Sequence, residues 1–426
     1  MRIRSLGRLE QPRLKNRNGG CFLQGLFLLV LGTACGNGET ADPALVDSAE
    51  ELHRSAIVVD THSDTTPRFE DPEWDFMLRH PLADGHMDLP RIREGGLDVQ
   101  FWSIYMGKKE REGEAIEEAL QRIDAVHQLV EQNPEQLGLA MSVAEIREHV
   151  AAGRLASVMG VEGGHIIEND LAVLRTYHRL GVRYMTLTHS FHTDWADSSG
   201  TSQDLEPLHG GLSLFGEEVV LEMNRMGMMV DISHVSDETF WDVLRVSRAP
   251  VMASHSSVRK VANHRRNIDD EMLRALAENG GVIMINFFPG YIDDRVIEEG
   301  AAYSKQWGET LAKIPELHED PESRAKAYRD HFRAHPLPET SLAVLLDHFD
   351  HAIAVAGPDH VGIGADWDGV PSMPVGMEDV TDLPALTEGL LARGHSPKTI
   401  RKVLGENLLR VMAEVEVIGE QMREAG

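Results

Sequence analysis

From residue 50 onward, short apolar runs rich in β-branched residues alternate with longer stretches whose apolar positions recur every three to four residues. A run of four to eight apolar residues reads as a strand buried on both faces, and the longer period reads as an amphipathic helix. The strand pattern falls at 57–61, 99–105, 156–161, 183–188, 228–233, 251–254, 281–287 and 360–365. Helical periodicity follows most of these, at 114–131, 170–180, 216–226, 237–247, 269–278 and 341–356. Eight strand-helix units predict an α/β fold closed as a (β/α)8 TIM-type barrel. Residues 289–338, with many charges, three tyrosines and few long apolar runs, read as an insertion after the seventh strand. Such a segment either covers the C-terminal face of the barrel or makes a solvated excursion. A helical tail at 396–414 is expected to pack on the barrel, so that 50–426 forms a single domain.

The first 35 residues follow a different pattern. Arg2, Arg4, Arg8, Arg13, Lys15 and Arg17 precede an apolar run at 22–31, then Gly32, Thr33 and Ala34, then Cys35. This basic, apolar, small-residue order is that of a secretory signal, and the apolar run is short for a transmembrane helix. Cys35 after Thr33-Ala34 resembles a bacterial lipoprotein cleavage box, although Leu31 lies one place further upstream than that pattern has it. The expectation is an exported chain in a bacterial cell envelope, lipid-anchored at Cys35, with plain secretion to the periplasm as the alternative. Residues 36–49 then read as a tether.

Composition narrows the chemistry. A formal charge of −28 argues against a nucleic-acid partner, because phosphate recognition needs clustered Lys and Arg. The only two cysteines, Cys21 and Cys35, both fall in the leader. Any metal in the body must therefore be held by histidines and carboxylates.

The predicted strand ends carry such residues. His62 and Asp64 end the first strand, Glu162 the third, His189 the fourth, His234 the fifth, His255 the sixth and Asp366 the eighth. A lone strand-end histidine is ordinarily a packing residue; the repetition on strands that open onto one face reverses that reading. Residues two apart on an extended backbone project to the same side, so His62 and Asp64 can reach one ion. The set fits two metal ions bridged by Glu162, with His62 and Asp64 on one and His234 and His255 on the other. Such a pair shares a water, lowers its pKa and presents a hydroxide to a carbonyl carbon. Asp366 is then placed to shuttle the proton and His189 to stabilise an oxyanion. For Asp366 the alternative is a loop-capping role before Gly369.

At these residues the chain resembles the membrane (renal) dipeptidase family of amidohydrolase-like metal barrels. The segments are DTHSDT at 60–65, DLPRIREGGLDVQFWSIY at 88–105, GVEGGH at 160–165, LTHSFHTDWADS at 187–198, VDISHVS at 230–236, ASHSSVRKVANHRRN at 253–267 and VGIGADWDG at 361–369. The resemblance implies two Zn2+, one on His62, Asp64 and Glu162, the other on Glu162, His234 and His255. It implies that His189 contacts the substrate carbonyl oxygen, that Asp366 handles the proton, and that Arg266 pairs with the free C-terminal carboxylate of a dipeptide. Arg265 is its neighbour in the same run. It further implies a homodimer and tolerance of a D-residue at the substrate C-terminus. Ser63 stands where the family commonly has Asn, at a position facing away from the metal, and Phe288 stands where some relatives have tyrosine. Asp197 matches the family without an assigned role.

Two other functions compete. Related barrels that act on lactones, cyclic amides or phosphotriesters usually carry His-x-His on the first strand and often a carboxylated lysine as bridge; here the motif is His62-Ser63-Asp64 and the expected bridge is Glu162. A membrane-anchored binding protein without turnover would be expected to have lost a ligand or the base, and all seven residues are present.

Overall fold

The computed structural model describes residues 48–107, 111–200, 205–317 and 321–425. The leader, Cys21, Cys35 and most of the tether lie outside the described residues. The last tether positions do not: Ser48 Oγ accepts the Glu51 N–H at 3.1 Å and caps a helix over Ala49–Ser55.

Nine strands follow: β1 Val59–Ser63, β2 Val99–Tyr105, β3 Leu137–Leu139, β4 Leu155–Glu162, β5 Val182–Thr186, β6 Met229–Asp231, β7 Met252–Ser256, β8 Val282–Ile285 and β9 Val361–Ile363. Eight of them form a closed parallel ring in the order β1, β2, β4, β5, β6, β7, β8, β9, with β9 returning to β1. These eight are the strands read from the apolar pattern. The ninth, β3, stands outside the ring and pairs only with Leu155, Ala156 and Ser157 of β4. Three residues carry no usable periodicity, so this strand was not anticipated.

The ring strands are buried, Tyr105 at the end of β2 only partly, as expected where helices cover the outside and side chains fill the inside. Alternate residues take alternate sides. On β2, Val99 and Phe101 join the cluster inside the barrel, while Trp102 and Ile104 face the helices. On β4, Ala156 and Val158 point inward, and Met159 and Val161 outward. Continuing each inward row, by two places on β2 and by four on β4 past Gly160, brings Ser103 and Glu162 to the top of the barrel interior. At the opposite end, Leu408, Leu409, Val411, Met412 and Val415 of the final helix, Asn407–Ala425, share the interior cluster and close the bottom.

The segment between β8 and β9 is largely helical, with helices at Pro289–Ile292, Asp294–Ala312, Ile314–Leu317 and Pro321–Ala334 before the barrel helix Leu342–Ala356. Among the described residues no helix is long and apolar enough to cross a membrane.

Candidate metal centre

The strand ends converge as predicted, and Glu162 is the point of convergence. Its Oε1 lies 3.1 Å from His234 Nε2, 3.2 Å from His255 Nε2, 3.5 Å from His62 Nε2 and 3.7 Å from His189 Nε2. His62 Nε2 is also 3.6 Å from Asp64 Oδ2. Among the described residues, three sets offer donor atoms within 4.8 Å of one another: His62, Glu162 and His255; Glu162, His189 and His234; and His62, Asp64 and Asp366. All seven residues singled out at strand ends are therefore in one cluster.

The donor chemistry fits a metal. His62 Nε2 and Asp64 Oδ1 are buried without a hydrogen-bond partner, an expensive arrangement unless something else coordinates them. The Nε2 atoms of His234 and His255 face each other at 2.9 Å. Burial holds both rings well below the usual histidine range, so they stand as neutral imidazoles with lone pairs to offer. Burial alone would raise the Glu162 carboxyl, but the positive field of His62 and His189 and hydrogen bonding from His234 and His255 hold it well below the carboxylate range. An ionised carboxylate approached by four imidazole nitrogens is what a shared metal ligand requires.

The supporting residues were not found from sequence. Ser254 Oγ lies 2.6 Å from Asp231 Oδ2 and 2.7 Å from His255 Nδ1. With its hydroxyl proton donated to Asp231, Ser254 accepts from His255 Nδ1–H, which leaves Nε2 unprotonated. Asp231 also accepts from Thr186 Oγ1 at 2.5 Å and from the Ser233 and Ser254 backbone N–H groups. Ser103 Oγ approaches Glu162 Oε2 at 3.4 Å. The inward period of β2 places Ser103 at the site, but a serine at a strand end carries no chemistry distinctive enough to select it from sequence.

His234 has φ +67°, a left-handed conformation costly for a residue with a side chain. Its carbonyl holds that geometry by accepting from Ser199 N–H at 2.8 Å, Thr188 Oγ1 at 3.0 Å and Ser198 Oγ at 3.1 Å. Ser198 Oγ sits between this carbonyl and that of His189, its single proton shared between the two, and ties the two loops together. Asp197 now has a role. Its carboxylate accepts backbone N–H groups of Leu208, His209, Gly210 and Gly211, and so pins the loop beside His189.

Asp366, at φ +68°, accepts from Asn286 Nδ2 at 2.9 Å, and burial pushes its carboxyl up to about 7. Its side chain belongs to the cluster, and the capping contact to Gly369 N–H is made by its backbone carbonyl instead. Gly369 is needed for space, since a Cβ there would stand 2.2 Å from Asp64 Oδ2 and 2.3 Å from Asp366 Oδ1. Ser63 faces away, with its Oγ 2.8 Å from Thr65 Oγ1. Arg266 is 4 % exposed, Arg265 more so. The Arg266 guanidinium donates to the His255 carbonyl at 3.1 Å and Ser256 Oγ at 3.3 Å, lies 5.3 Å from the centre of the Tyr291 ring, and keeps a buried Nε without a partner.

The family model described as membrane dipeptidase (peptidase family M19) matches residues 46–426. The chain belongs to this family. The dipeptidase aclJ of Aspergillus oryzae is 37% identical over 353 residues, covering 81% of this chain and 74% of that protein. The crystal structure of the probable dipeptidase PvdM from Pseudomonas aeruginosa superposes with a TM-score of 0.75 at 27% identity, over 87% of this chain and 98% of the other. That of a metallopeptidase from Rhodobacter sphaeroides, liganded with a phosphinate mimic of the dipeptide L-Ala-D-Ala, gives 0.68 at 26% identity, over 84% and 99%. As a member of the membrane dipeptidase family, the chain is a metal-dependent peptide hydrolase whose substrate is a dipeptide.

Proposed function

We propose that this dipeptidase uses two Zn2+ ions, one held by His62, Asp64 and Glu162 and the other by Glu162, His234 and His255, and that it requires a free C-terminal carboxylate on its substrate. The observation that carries the reading is Glu162 Oε1 with four histidine Nε2 atoms within 3.7 Å. Bound there, divalent ions would lower the pKa of a water and polarise the scissile carbonyl.

The remaining chemistry falls to the chain. Asp366, raised to about 7 by burial, can take a proton from the attacking water and return it to the leaving amine nitrogen. His189 Nε2, with burial keeping its pKa below the usual histidine value, can donate a hydrogen bond to the carbonyl oxygen as negative charge develops. The buried, partnerless Nε of Arg266 offers a planar donor to the substrate carboxylate. The ligand described for the Rhodobacter relative supports a C-terminal D-residue among the substrates of this chain.

Metal content and hydrolysis of L,L and L,D dipeptides, free and C-terminally amidated, test the proposal on one sample. Two zinc ions per chain and loss of hydrolysis on amidation are expected; retention of full activity on amides removes the carboxylate requirement. Arg266→Ala should raise KM for free dipeptides by about tenfold to a hundredfold and leave the poor hydrolysis of amides unaltered.

For location, we infer from the leader an exported chain, anchored through lipid on Cys35 at a bacterial cell envelope, and from the resemblance a homodimer. Incorporation of a palmitate analogue, abolished by Cys35→Ser, and the mass in solution check these.

A further inference from the structure

Beside the metal centre lies a cleft of about 890 Å³, in the upper part of the range of roughly 300–1,000 Å³ for small-molecule sites. One end reaches Ser199, whose N–H donates to the His234 carbonyl, and Tyr291, whose ring stands over the Arg266 guanidinium. From there it runs away from the metal ligands, none of which lines it, toward the helices that follow β8. Phe288 and Tyr291 form the near wall, with their rings edge to face at 4.9 Å. Val296, Ile297 and Ala301 of Asp294–Ala312 and Phe332 of Pro321–Ala334 form the far wall. The insertion does not stand free in solvent: its last helix packs on the segment Thr66–Glu70 that follows β1, and it builds an apolar side to a cavity that starts where the substrate C-terminus is proposed to sit.

A dipeptide of small residues, its carboxylate on Arg266 and its scissile bond at Glu162, has nothing to place in this volume. We propose that the cleft is a side-chain subsite, and that the enzyme selects dipeptides whose C-terminal residue carries a large apolar group. The assignment rests on the pairing of Arg266 with the substrate carboxylate, which sets the direction in which the C-terminal side chain leaves the backbone. An apolar wall rewards each buried methylene or ring and discriminates by transfer out of water.

The metal-loaded full chain is assayed on Ala-Phe, Ala-Gly and their amides, and phosphinate analogues of Ala-Phe and Ala-Gly are titrated calorimetrically. The expected ratio of kcat/KM for Ala-Phe over Ala-Gly is at least about tenfold, with the same preference in analogue Kd. Ala301→Trp, which fills the cleft from an exposed helix position, and Ile297→Glu, which puts a charge in its wall, should each lower that ratio at least about tenfold. A ratio near one in the wild type, or a ratio that neither folded variant changes, overturns the subsite. If amides are cleaved as fast as free dipeptides, the Arg266 reading fails separately, and the Phe-to-Gly ratio among the amides still decides the subsite.

Discussion

Tyr184 Oη lies 2.9 Å from His62 Nδ1 and 3.1 Å from the Thr61 carbonyl oxygen, inside the barrel. The carbonyl can only accept, so the phenol donates to Thr61 and accepts from His62 Nδ1–H. In the neutral ring, the form that binds a metal, that leaves His62 Nε2 as the lone-pair nitrogen, aimed at Glu162 and Asp64. Gly160 on β4 makes room for the phenol ring, since a Cβ there would come within 2.0 Å of it.

Tyr184→Phe removes the hydroxyl that sets this tautomer. Zinc affinity at the His62 side is expected to fall about tenfold to a hundredfold, with fold and Glu162 geometry retained. Competition with a chromophoric chelator reads the affinity of each proposed ion; equal affinity in wild type and variant would assign Tyr184 to packing alone.

Glu162→Gln replaces the one ionised group at the centre of four imidazoles by a neutral amide. Both ions and hydrolysis should be lost, by at least about a thousandfold in kcat/KM. Elemental analysis after dialysis is the check, and a variant retaining two ions and full turnover would end the bridging assignment.

Asp366→Asn keeps a group of the same shape beside Asn286 and removes the proton acceptor. Metal content should stay at the wild-type level while kcat drops by about a hundredfold or more, with KM little altered. Loss of metal in parallel with activity would make Asp366 a ligand instead.

Asp98 offers a pH test remote from the metals. Burial raises its carboxyl from 3.8 to about 6, offset in part by the Val58 N–H it accepts at 2.9 Å and by Arg93 and Arg54. The folded protein thus holds this proton more tightly than the unfolded chain. Its contribution to stability is full below about 3.8 and is lost as pH rises through about 6. Asp98→Asn keeps an acceptor for Val58 and removes the titration. The stability of the variant relative to wild type should climb between pH 4 and pH 7 by about 1–3 kcal/mol. Denaturant melts of both proteins at several pH values measure it, and a difference that stays constant with pH contradicts the assignment.

Much of this protein was determined by local sequence alone. Eight apolar runs bounded by polar or glycine positions specify eight buried strands, because each must bury both faces. The alternation of side chains then puts Glu162 and the His62-Ser63-Asp64 pair at strand ends. The metal-ligand types are chemically distinctive, so they stood out without knowledge of their partners. What only the tertiary structure decided are relations across the ring. Tyr184 lies 122 residues from His62, and Asn286 lies 80 from Asp366. A tyrosine within a strand or an asparagine after one looks like any other until closure of the barrel brings it under a ligand. The same holds for Ser254 with Asp231, for the short β3 that borrows one edge of β4, and for the helices after β8. Their charged, weakly apolar sequence showed an insertion, and only packing turned it into one wall of a cleft. Periodicity reports which way a side chain faces; which residue it meets is set by the order in which the strands close, and that order is a property of the folded chain.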